Sequence, residues 1–334
     1  MLDDRKTAIL RAVVEGYIHS TQPVGSAAVA RQAGIDFSPA TVRNEMAVLE
    51  QEGYLTAPHT SAGRVPTDKG YRHFVDALGA QPVVAPVEIH RVAEFFNETH
   101  GQLEQLLQDT SVLLSDLTRS AAVVVDDSVD AAVVRSVQLV ALSSQTMLVV
   151  VVMSTGAVEK VSVELGAEIE AAVLPSAGAI LDASLQGRHL GDVGECPAVP
   201  GDETLGFVVG LAHAGLAALA AEVDARLFMD GTSRMAEAFD AVETVRSVLT
   251  ILERQMVVVT MVKDVLDRGR RVAIGSENSD ERLAECSLVV APFEVGGERA
   301  GTIGVLGPTR MDYSQALDAV AVVSRRLGEH LTER

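Results

Sequence analysis

The sequence predicts a multidomain α+β protein with a small helical domain at its start and a larger body after it. Three observations lead to this prediction. Within residues 1–78, two helix patterns joined by a tight turn are followed by a short polar hairpin. Further along, two separate groups of alternating apolar residues predict antiparallel strands. The stretch between those groups, 166–245, has a mostly helical pattern, and 334 residues suffice for two or three domains.

The centre of the first domain is a helix that begins after Ser38. Ser38 can cap the helix, Pro39 suits its first position, and Gly53 favours its end. One face is an apolar stripe of Val42, Met46 and Leu49. The opposite face is small or polar and consists of Ala40, Asn44, Ala47 and Gln51, flanked by Thr41 and Arg43. Such a face can approach a flat partner closely, and Asn and Arg can contact base edges with two hydrogen bonds. We therefore expect it to enter a DNA groove.

The flanking residues predict a winged helix-turn-helix. Ser26 can cap a short helix over 27–33, and the turn at Gly34 gives helix-turn-helix spacing with the helix after Ser38 in the DNA-reading position. Two short strands then enclose a polar tip over 59–64, and Thr67 can cap a closing helix. The side chains that we expect to contact DNA are Ser38, Ala40, Thr41, Arg43, Asn44, Ala47, His59, Thr60, Ser61, Arg64, Lys69 and Arg72.

The charge of the chain argues against nucleic-acid binding at first sight, because the formal net charge is −19. The distribution weakens this objection. Residues 1–78 contain eight Lys/Arg against nine Asp/Glu, so that domain is at −1 and the rest of the chain at −18. We expect modest nonspecific affinity, with specificity supplied by base contacts and by the geometry of a dimer.

Two prolines in 79–87 predict a linker, and a helical pattern follows over 88–119. Its apolar positions, three and four residues apart, are Ile89, Val92, Phe96, Thr99, Leu103, Leu106, Thr110, Leu113 and Leu117. Such a stripe can join two chains as a coiled coil or pack into its own core. Gly101 within the pattern favours the second interpretation. The strand predictions are 133–142, 146–154, 158–163, 271–274, 287–295 and 299–306, and a helix over 313–331 closes the chain.

Four segments resemble one known family. The sequences PVGS at 23–26, SPATVRNEM at 38–46 and PHTSAGRVPTDKGYR at 58–72 are similar to the HrcA family of bacterial heat-inducible transcription repressors. Far along the chain, GPTRMDY at 307–313 resembles the C-terminal signature of that family. In this last segment we expect Arg310 to bond loop carbonyls or carboxylates and Asp312 to cap the final helix, although a ligand site there is the alternative.

The resemblance implies a division of the body and a set of partners. It implies a winged helix-turn-helix over 1–78, a linker and connecting helix over 79–119, and a GAF-like α+β domain in two parts, 120–165 and 246–334. A mostly helical inserted dimerisation domain would occupy 166–245. It further implies a homodimer that binds an inverted-repeat operator of the CIRCE type upstream of chaperone genes, with the GroE chaperonin keeping the repressor active.

Other classes of protein find little support in the residues. Cys196 and Cys286 have no metal or redox spacing, the histidines show no metal pattern, and no nucleophile elbow occurs. We therefore expect no enzyme, no cofactor and no metal. The longest apolar runs are too short to span a bilayer, so the sequence predicts no membrane span. No apolar signal core follows the acidic first residues, and we therefore expect a cytoplasmic protein.

Two other functions stay open at this stage. In one, the chain is a ligand-responsive metabolic transcription regulator with a small-molecule site in the GAF-like domain. In the other, it is a scaffold whose winged helix binds protein.

Overall fold

The computed structural model describes residues 2–32, 34–59, 63–78, 86–99, 102–127, 133–154, 156, 158–170, 172–223, 226–239 and 242–333. The chain forms two compact units. Unit 1 comprises Met1–Val124 and Leu227–Arg334, and unit 2 comprises Val125–Arg226. Helices and antiparallel sheets occur in both units, so the α+β prediction is confirmed.

The N-terminal part of unit 1 consists of α1 (Asp4–Ser20), α2 (Ser26–Val29), α3 (Pro39–Gln51), β1 (Leu55–Thr56), β2 (Val65–Pro66) and α4 (Asp68–Ala77). Side-chain caps begin three of these helices: Asp3 accepts from the Lys6 amide, Ser38 from the Thr41 amide and Thr67 from the Gly70 amide. Each cap satisfies a backbone donor that the first helical turn leaves without a partner. The two strands form one antiparallel hairpin.

Two helices, α5 (Pro86–Glu98) and α6 (Leu103–Thr118), follow. They replace the single predicted helix over 88–119, and His100 and Gly101, between them, lie outside the described residues. The residues of the apolar stripe that are buried in the core of unit 1 are Val92, Phe96, Leu106, Thr110, Leu113 and Leu117. Because these side chains pack against their own chain, the intramolecular interpretation is confirmed for them, and the coiled coil is not needed.

The body of unit 1 is built on a five-stranded sheet in the order β7 (Arg226–Asp230), β3 (Ala121–Asp126), β10 (Glu298–Pro308), β9 (Cys286–Val295) and β8 (Val272–Ile274). β8 pairs antiparallel with β9, and β9 pairs antiparallel with β10. Side chains alternate along β9, so Val289 and Phe293 enter the core that includes the final helix, while Leu288 and Val290 are buried on the other face. The sheet is therefore buried on both faces.

Four helices complete unit 1: α9 (Thr232–Glu237), α10 (Val242–Leu252), α11 (Gln255–Asp267) and α12 (Tyr313–Thr332). Asp312 caps α12 by accepting from the Gln315 amide, and Arg310 donates to the carbonyl of Ala238. The predicted roles of Arg310 and Asp312 as braces of this corner are thus confirmed. Short 3₁₀ turns cover Gly275–Glu277 and Glu281–Leu283 between β8 and β9.

Unit 2 is a three-stranded antiparallel sheet covered on one face by helices. The sheet consists of β4 (Val134–Ala141), β5 (Thr146–Met153) and β6 (Val158–Glu164), and the helices are α7 (Val173–Leu185) and α8 (Glu203–Val223). Alternate residues of β5, among them Met147 and Val151, are fully buried with Leu181 of α7 and Leu216 of α8. Asp182 accepts from the Val137 amide at 2.7 Å and fastens α7 to the edge strand.

The compact units divide the chain elsewhere than the sequence predicted. The divisions follow Val124 and Arg226, whereas the predicted body was divided after 165 and 245. The strands β4 to β6 belong with α7 and α8, because their buried residues share one core with those helices. An alternating pattern reveals a half-buried strand but does not reveal which sheet the strand joins.

The two thiols differ in environment. Cys196 is exposed, whereas Cys286 is fully buried in β9, and burial raises the pKa of its thiol to about 12. A buried neutral thiol is unreactive. Within the residues that the structure describes, no cluster of three His, Cys, Asp or Glu could hold a metal ion.

Candidate nucleic-acid interface

Helix α3 has one buried and one open face. Val42, Met46 and Leu49 of the apolar stripe are buried in the core of unit 1, as predicted. Ser38 caps the helix with its hydroxyl oxygen 3.2 Å from the Thr41 amide nitrogen, and Pro39 occupies the first turn. The cap and the stripe together fix the helix and its rotation about its own axis.

The opposite face of α3 presents the predicted DNA-contacting side chains to solvent. Ala40, Arg43 and Asn44 are exposed, and Thr41 and Ala47 are half-buried. Within the described part of the chain, no hydrogen bond or ion pair engages the side chains of Arg43 and Asn44. An extended guanidinium and an amide, both without protein partners and flanked by alanines, form a surface that can donate and accept bonds at a close-fitting partner.

The hairpin that follows α3 is anchored to the loop before α2. The Val24 amide donates to the Arg64 carbonyl and the Arg64 amide donates to the Val24 carbonyl, both at 2.9 Å. Gly63 lies directly against the backbone of Pro23 and Val24, and any Cβ at this position would collide with the Val24 carbonyl. The absence of a side chain therefore allows the hairpin to lie this close.

The tip of the hairpin is described only in part. His59 is exposed at its start. Thr60 and Ser61, which are also predicted to contact DNA, lie outside the described residues.

The predicted phosphate-contacting cations are engaged within the protein. Arg64 donates to the Glu50 carboxylate at 2.9 Å. The Lys69 ammonium donates to the Glu52 carbonyl at 2.8 Å and lies 4.2 Å from the centre of the Tyr54 ring. Either cation can contact a phosphate only by exchanging these partners.

Arg72 has partners that remove it from the interface. Its guanidinium donates to both oxygens of Glu277 and to the Val272 carbonyl, and it lies 3.4 Å from Asp76. The sequence predicts that Arg72 contacts DNA, because it lies near the presumed groove face with a charge that can meet a phosphate. Because α4 instead packs against the body there, we leave Arg72 out of the interface.

The carboxylates of α3 are each paired with a cation. Glu45 contacts Arg5 at 3.3 Å, and Glu50 contacts Arg64 at 2.9 Å. Just after the helix, Glu52 lies 3.9 Å from Lys6. Arg5 and Lys6 were not predicted at this surface, because they lie far from α3 along the chain and no local pattern links them to it. Such pairs contribute little to stability when they are exposed, but they offset the negative charge that would repel a polyanion.

Residues 104–317 match the family model described as the HrcA protein C terminal domain. The chain is 37% identical over 340 residues to a heat-inducible transcription repressor HrcA of Nocardia farcinica, covering 99% of this chain and 98% of that one. A repressor of the same name from Streptomyces avermitilis is 37% identical over 342 residues and covers all of both chains.

One solved structure has a similar fold along the whole length. The crystal structure of a hypothetical protein at 2.2 Å resolution matches with a TM-score of 0.63 and 23% identity, covering 100% of this chain and 99% of that one. At this identity the likeness concerns the fold alone.

The cap of α3 can be tested by stability. Ser38→Ala should lower the free energy of unfolding by about 1 kcal/mol, because the Thr41 amide loses its acceptor. Urea denaturation without DNA measures the change. Ser38→Asp keeps an acceptor at the same place and serves as the control, which should unfold near the wild-type midpoint. An alanine variant as stable as the wild type would contradict the cap.

Proposed function

Because the chain belongs to the HrcA family of heat-inducible transcription repressors, we propose that it represses heat-shock genes in the cytoplasm. In this proposal a homodimer binds an inverted-repeat operator of the CIRCE type, and the GroE chaperonin keeps the repressor active. Membership in a family of transcription repressors confirms the expectation that the chain is not an enzyme.

The observation on which the DNA-binding proposal depends is the open face of α3. In the proposal the N-terminal part acts as a winged helix-turn-helix, and α3 lies in the major groove. Arg43 and Asn44 then contact base edges, since both side chains are exposed and have no partner in the described structure. The small residues Ala40 and Ala47 let the helix backbone approach the bases.

The remaining proposed contacts position the protein on the DNA backbone. Ser38 and Thr41 lie at the N-terminus of α3, where amides and hydroxyls can donate to phosphate. His59 and, outside the described residues, Thr60 and Ser61 would contact the backbone from the hairpin. Because Arg64 and Lys69 already bond within the protein, we propose that electrostatic affinity is modest and that base contacts provide most of the specificity.

Unit 2 has the surface that a homodimer needs. Over Glu203–Ala220 the helix α8 is long and apolar enough to cross a membrane by length and composition alone, yet only 28% of this window is buried. Val208 and Leu216 on one face lie in the core of unit 2, while Phe207 is 51% exposed. Large exposed apolar surfaces usually mark an interface. We propose that α8 contacts the second copy and that unit 2 acts as the dimerisation domain.

A chaperonin partner would act through the folded population of the repressor. A partner that favours the native state raises the native fraction by mass action, and its diversion to heat-unfolded clients lowers that fraction. What supports this proposal is the heat-inducible family together with large apolar side chains left exposed, such as Leu142 and Met256. In this proposal, exposed apolar side chains of this kind are the ones that the chaperonin binds.

A small-molecule regulator is the second candidate, and the cavity beside the sheet of unit 1 supports it poorly. A cavity of about 490 Å³ lies between the end of β9 and α12. Its charged lining residues are Glu294, Arg325, Glu329 and Glu333, so three carboxylates face one guanidinium. Such a cavity disfavours the anionic metabolites that many regulators sense, and we therefore retain the repressor proposal.

The base contacts can be tested by substitution. Arg43→Ala and Asn44→Ala should each weaken specific operator binding by about 1–3 kcal/mol, or roughly 5- to 150-fold in Kd, because each removes hydrogen bonds to base edges. Gel-shift titration at fixed salt measures the change. Arg325→Ala removes the same charge from an exposed side chain of α12 and is the matched control. Unchanged operator affinity in both α3 variants would remove the proposed interface.

The dimer can be tested independently of DNA. Phe207→Glu should shift the protein from dimer to monomer in sedimentation velocity, because it places a charge on the apolar surface of α8. Met256→Glu changes an equally exposed apolar residue of unit 1, 49% exposed, and should leave the dimer intact. A dimer that survives Phe207→Glu but dissociates with Met256→Glu would assign dimerisation to unit 1.

The whole proposal can be tested by footprinting on DNA upstream of the chaperonin genes of the host. The wild-type protein should protect both halves of an inverted repeat, and GroE added after a heat step should restore protection that heating removes. The Arg43→Ala/Asn44→Ala double variant should protect neither half. Protection of a sequence without a repeat, or restoration without GroE, would contradict the operator or the chaperonin part respectively.

A further inference from the structure

Helix α4 faces the body of unit 1 through Asp68 and Arg72, which both contact the turn Gly275–Glu277. We propose that this contact is a positioning device, which fixes the direction of the DNA-contacting elements on the body so that the dimer accepts one spacing between half-sites. The inference rests on the proposed function and deepens it, because it names the residues that set the geometry of operator recognition.

Arg72 makes the more extensive of the two connections. Its Nε donates to Glu277 Oε1 at 2.9 Å, and one terminal nitrogen donates to the other Glu277 oxygen and to the Val272 carbonyl at 2.8 Å. A two-pronged arginine–carboxylate pair fixes direction as well as distance. Burial alone would raise the pKa of Glu277, but the hydrogen bonds and charge of Arg72 outweigh it and hold that pKa below its ordinary value.

Asp68 fastens the beginning of α4 to the same turn. One of its carboxylate oxygens accepts from the Ser276 amide at 2.9 Å and from the Ser276 hydroxyl at 2.8 Å. Gly275 lies so close that any Cβ there would collide with this carboxylate, and its φ of +52° is in the left-handed region. The turn therefore has the shape that receives Asp68.

An apolar contact lies beside the polar one. The ring centres of Tyr71 in α4 and Tyr313 in α12 are 5.7 Å apart, and both side chains are buried. The two tyrosines belong to one continuous core that extends from Ile9 in α1 to Leu327 in α12. The N-terminal part is thus packed onto the body as well as bonded to it.

Helix α4 is in turn joined to the end of α3. The Thr67 hydroxyl donates to the Gly53 carbonyl at 2.7 Å, and the Lys69 ammonium donates to the Glu52 carbonyl at 2.8 Å. Gly70 lies against the Tyr54 carbonyl with no room for a side chain. The direction of α3 therefore follows that of α4, and the direction of α4 follows the turn Gly275–Glu277.

The direction of α3 matters because, in the proposed dimer, the second subunit binds its half-site while the first subunit is already bound to the DNA. When the N-terminal parts of both subunits point correctly, the second contact forms at high effective concentration. A half-site at the wrong position loses this gain in affinity. Adding two base pairs to the spacer rotates one half-site by about 70° and moves it by about 7 Å. A dimer with rigidly attached N-terminal parts should bind such an operator weakly, and a dimer with loosely attached ones should bind it nearly as well as the original.

The test loosens the contact without touching the DNA face. Asp68→Asn/Glu277→Gln removes both carboxylates but preserves their shape, and Asp280→Asn/Glu281→Gln removes two nearby carboxylates that make no contact with α4 in the described structure. Gel shifts on inverted repeats shortened or lengthened by two base pairs, and on a single half-site, measure the profile. The wild type and the control should lose about tenfold or more in affinity at the altered spacings. The loosened variant should lose less than about threefold, with unchanged half-site affinity.

The rigidity of the contact can be measured without DNA, by the distance between the N-terminal part and the body. Spin labels at Arg31→Cys and Glu298→Cys, in a Cys196→Ser background where Cys286 is buried, report the distance between the N-terminal part and the body. Each labelled chain is mixed with excess unlabelled chain. The wild type should give one narrow distance distribution, and Asp68→Asn/Glu277→Gln should give a broad one.

Each result has one consequence. A variant whose distances stay narrow, or whose spacing profile equals that of the wild type, would overturn the positioning role of the contact. A wild-type protein that binds no inverted repeat while its distances behave as expected would instead overturn the proposed function. Failure of the inference and failure of the function are therefore distinguishable.

Discussion

The packing of α4 against the body is the constraint on which the rest of unit 1 depends. Without it, the N-terminal helices would form a separate small domain joined to the sheet by a linker, and the direction of α3 would be undefined. With it, the buried side chains form one core from Ile9 to Leu327. The polar part of the contact is specific, because the guanidinium of Arg72 meets a planar carboxylate and a backbone carbonyl together. Apolar burial supplies the attraction, and the polar bonds select the angle.

The distribution of charge explains how an acidic protein can approach a polyanion. The −19 net charge belongs almost entirely to the residues after 78, and the carboxylates of Glu45, Glu50 and Glu52 are each paired with a cation from α1 or the hairpin. Pairing leaves Arg43 as the predicted contact residue whose charge is not already used within the described part of the chain. Long-range attraction to DNA is consequently small, and in the proposed interface the discrimination between sequences comes from short-range bonds at Arg43 and Asn44.

Local features were predictable from the sequence, and long-range partners were not. Ser38, Thr67 and Asp312 were identified as caps because a cap depends on residues within three positions of it. The predicted cap at Ser26 was wrong, because Ser26 is the first residue of α2 and Gly25 precedes the helix without a side-chain bond. The strands β4 to β6 and β8 to β10 were found from their alternation. The strands β3 and β7 were not predicted, because β3 is buried at every position and β7 is half-buried at every position, so neither alternates. The partner of Arg72 could not be found, since Glu277 lies 205 residues away and nothing in the pattern of α4 distinguishes a cation that faces DNA from one that faces the body. The membership of β4 to β6 in unit 2 could not be predicted for the same reason, because the sequence of a hairpin does not show which helices cover it.

The contact between α4 and the body, which fixes the direction of α3, also includes a destabilising group. The Tyr71 hydroxyl is buried beside Tyr313 and has no hydrogen-bond partner in the described structure, whereas the Tyr313 hydroxyl is shared between Ser287 and the Thr309 carbonyl. A buried hydroxyl without a partner costs about 1–3 kcal/mol, and moving α4 outward would return it to water. The Arg72–Glu277 pair, whose side chains are 25% and 23% exposed, offsets this cost only in part, because removing both charges from water costs free energy as well. The net attachment of α4 is therefore weaker than its buried area suggests, while the interiors of α1 to α3 and of the sheet contain apolar side chains without such a cost. A disturbance too small to unfold either part would act first on the direction of α3, and in the proposed dimer, which reads two half-sites at once, that direction decides binding.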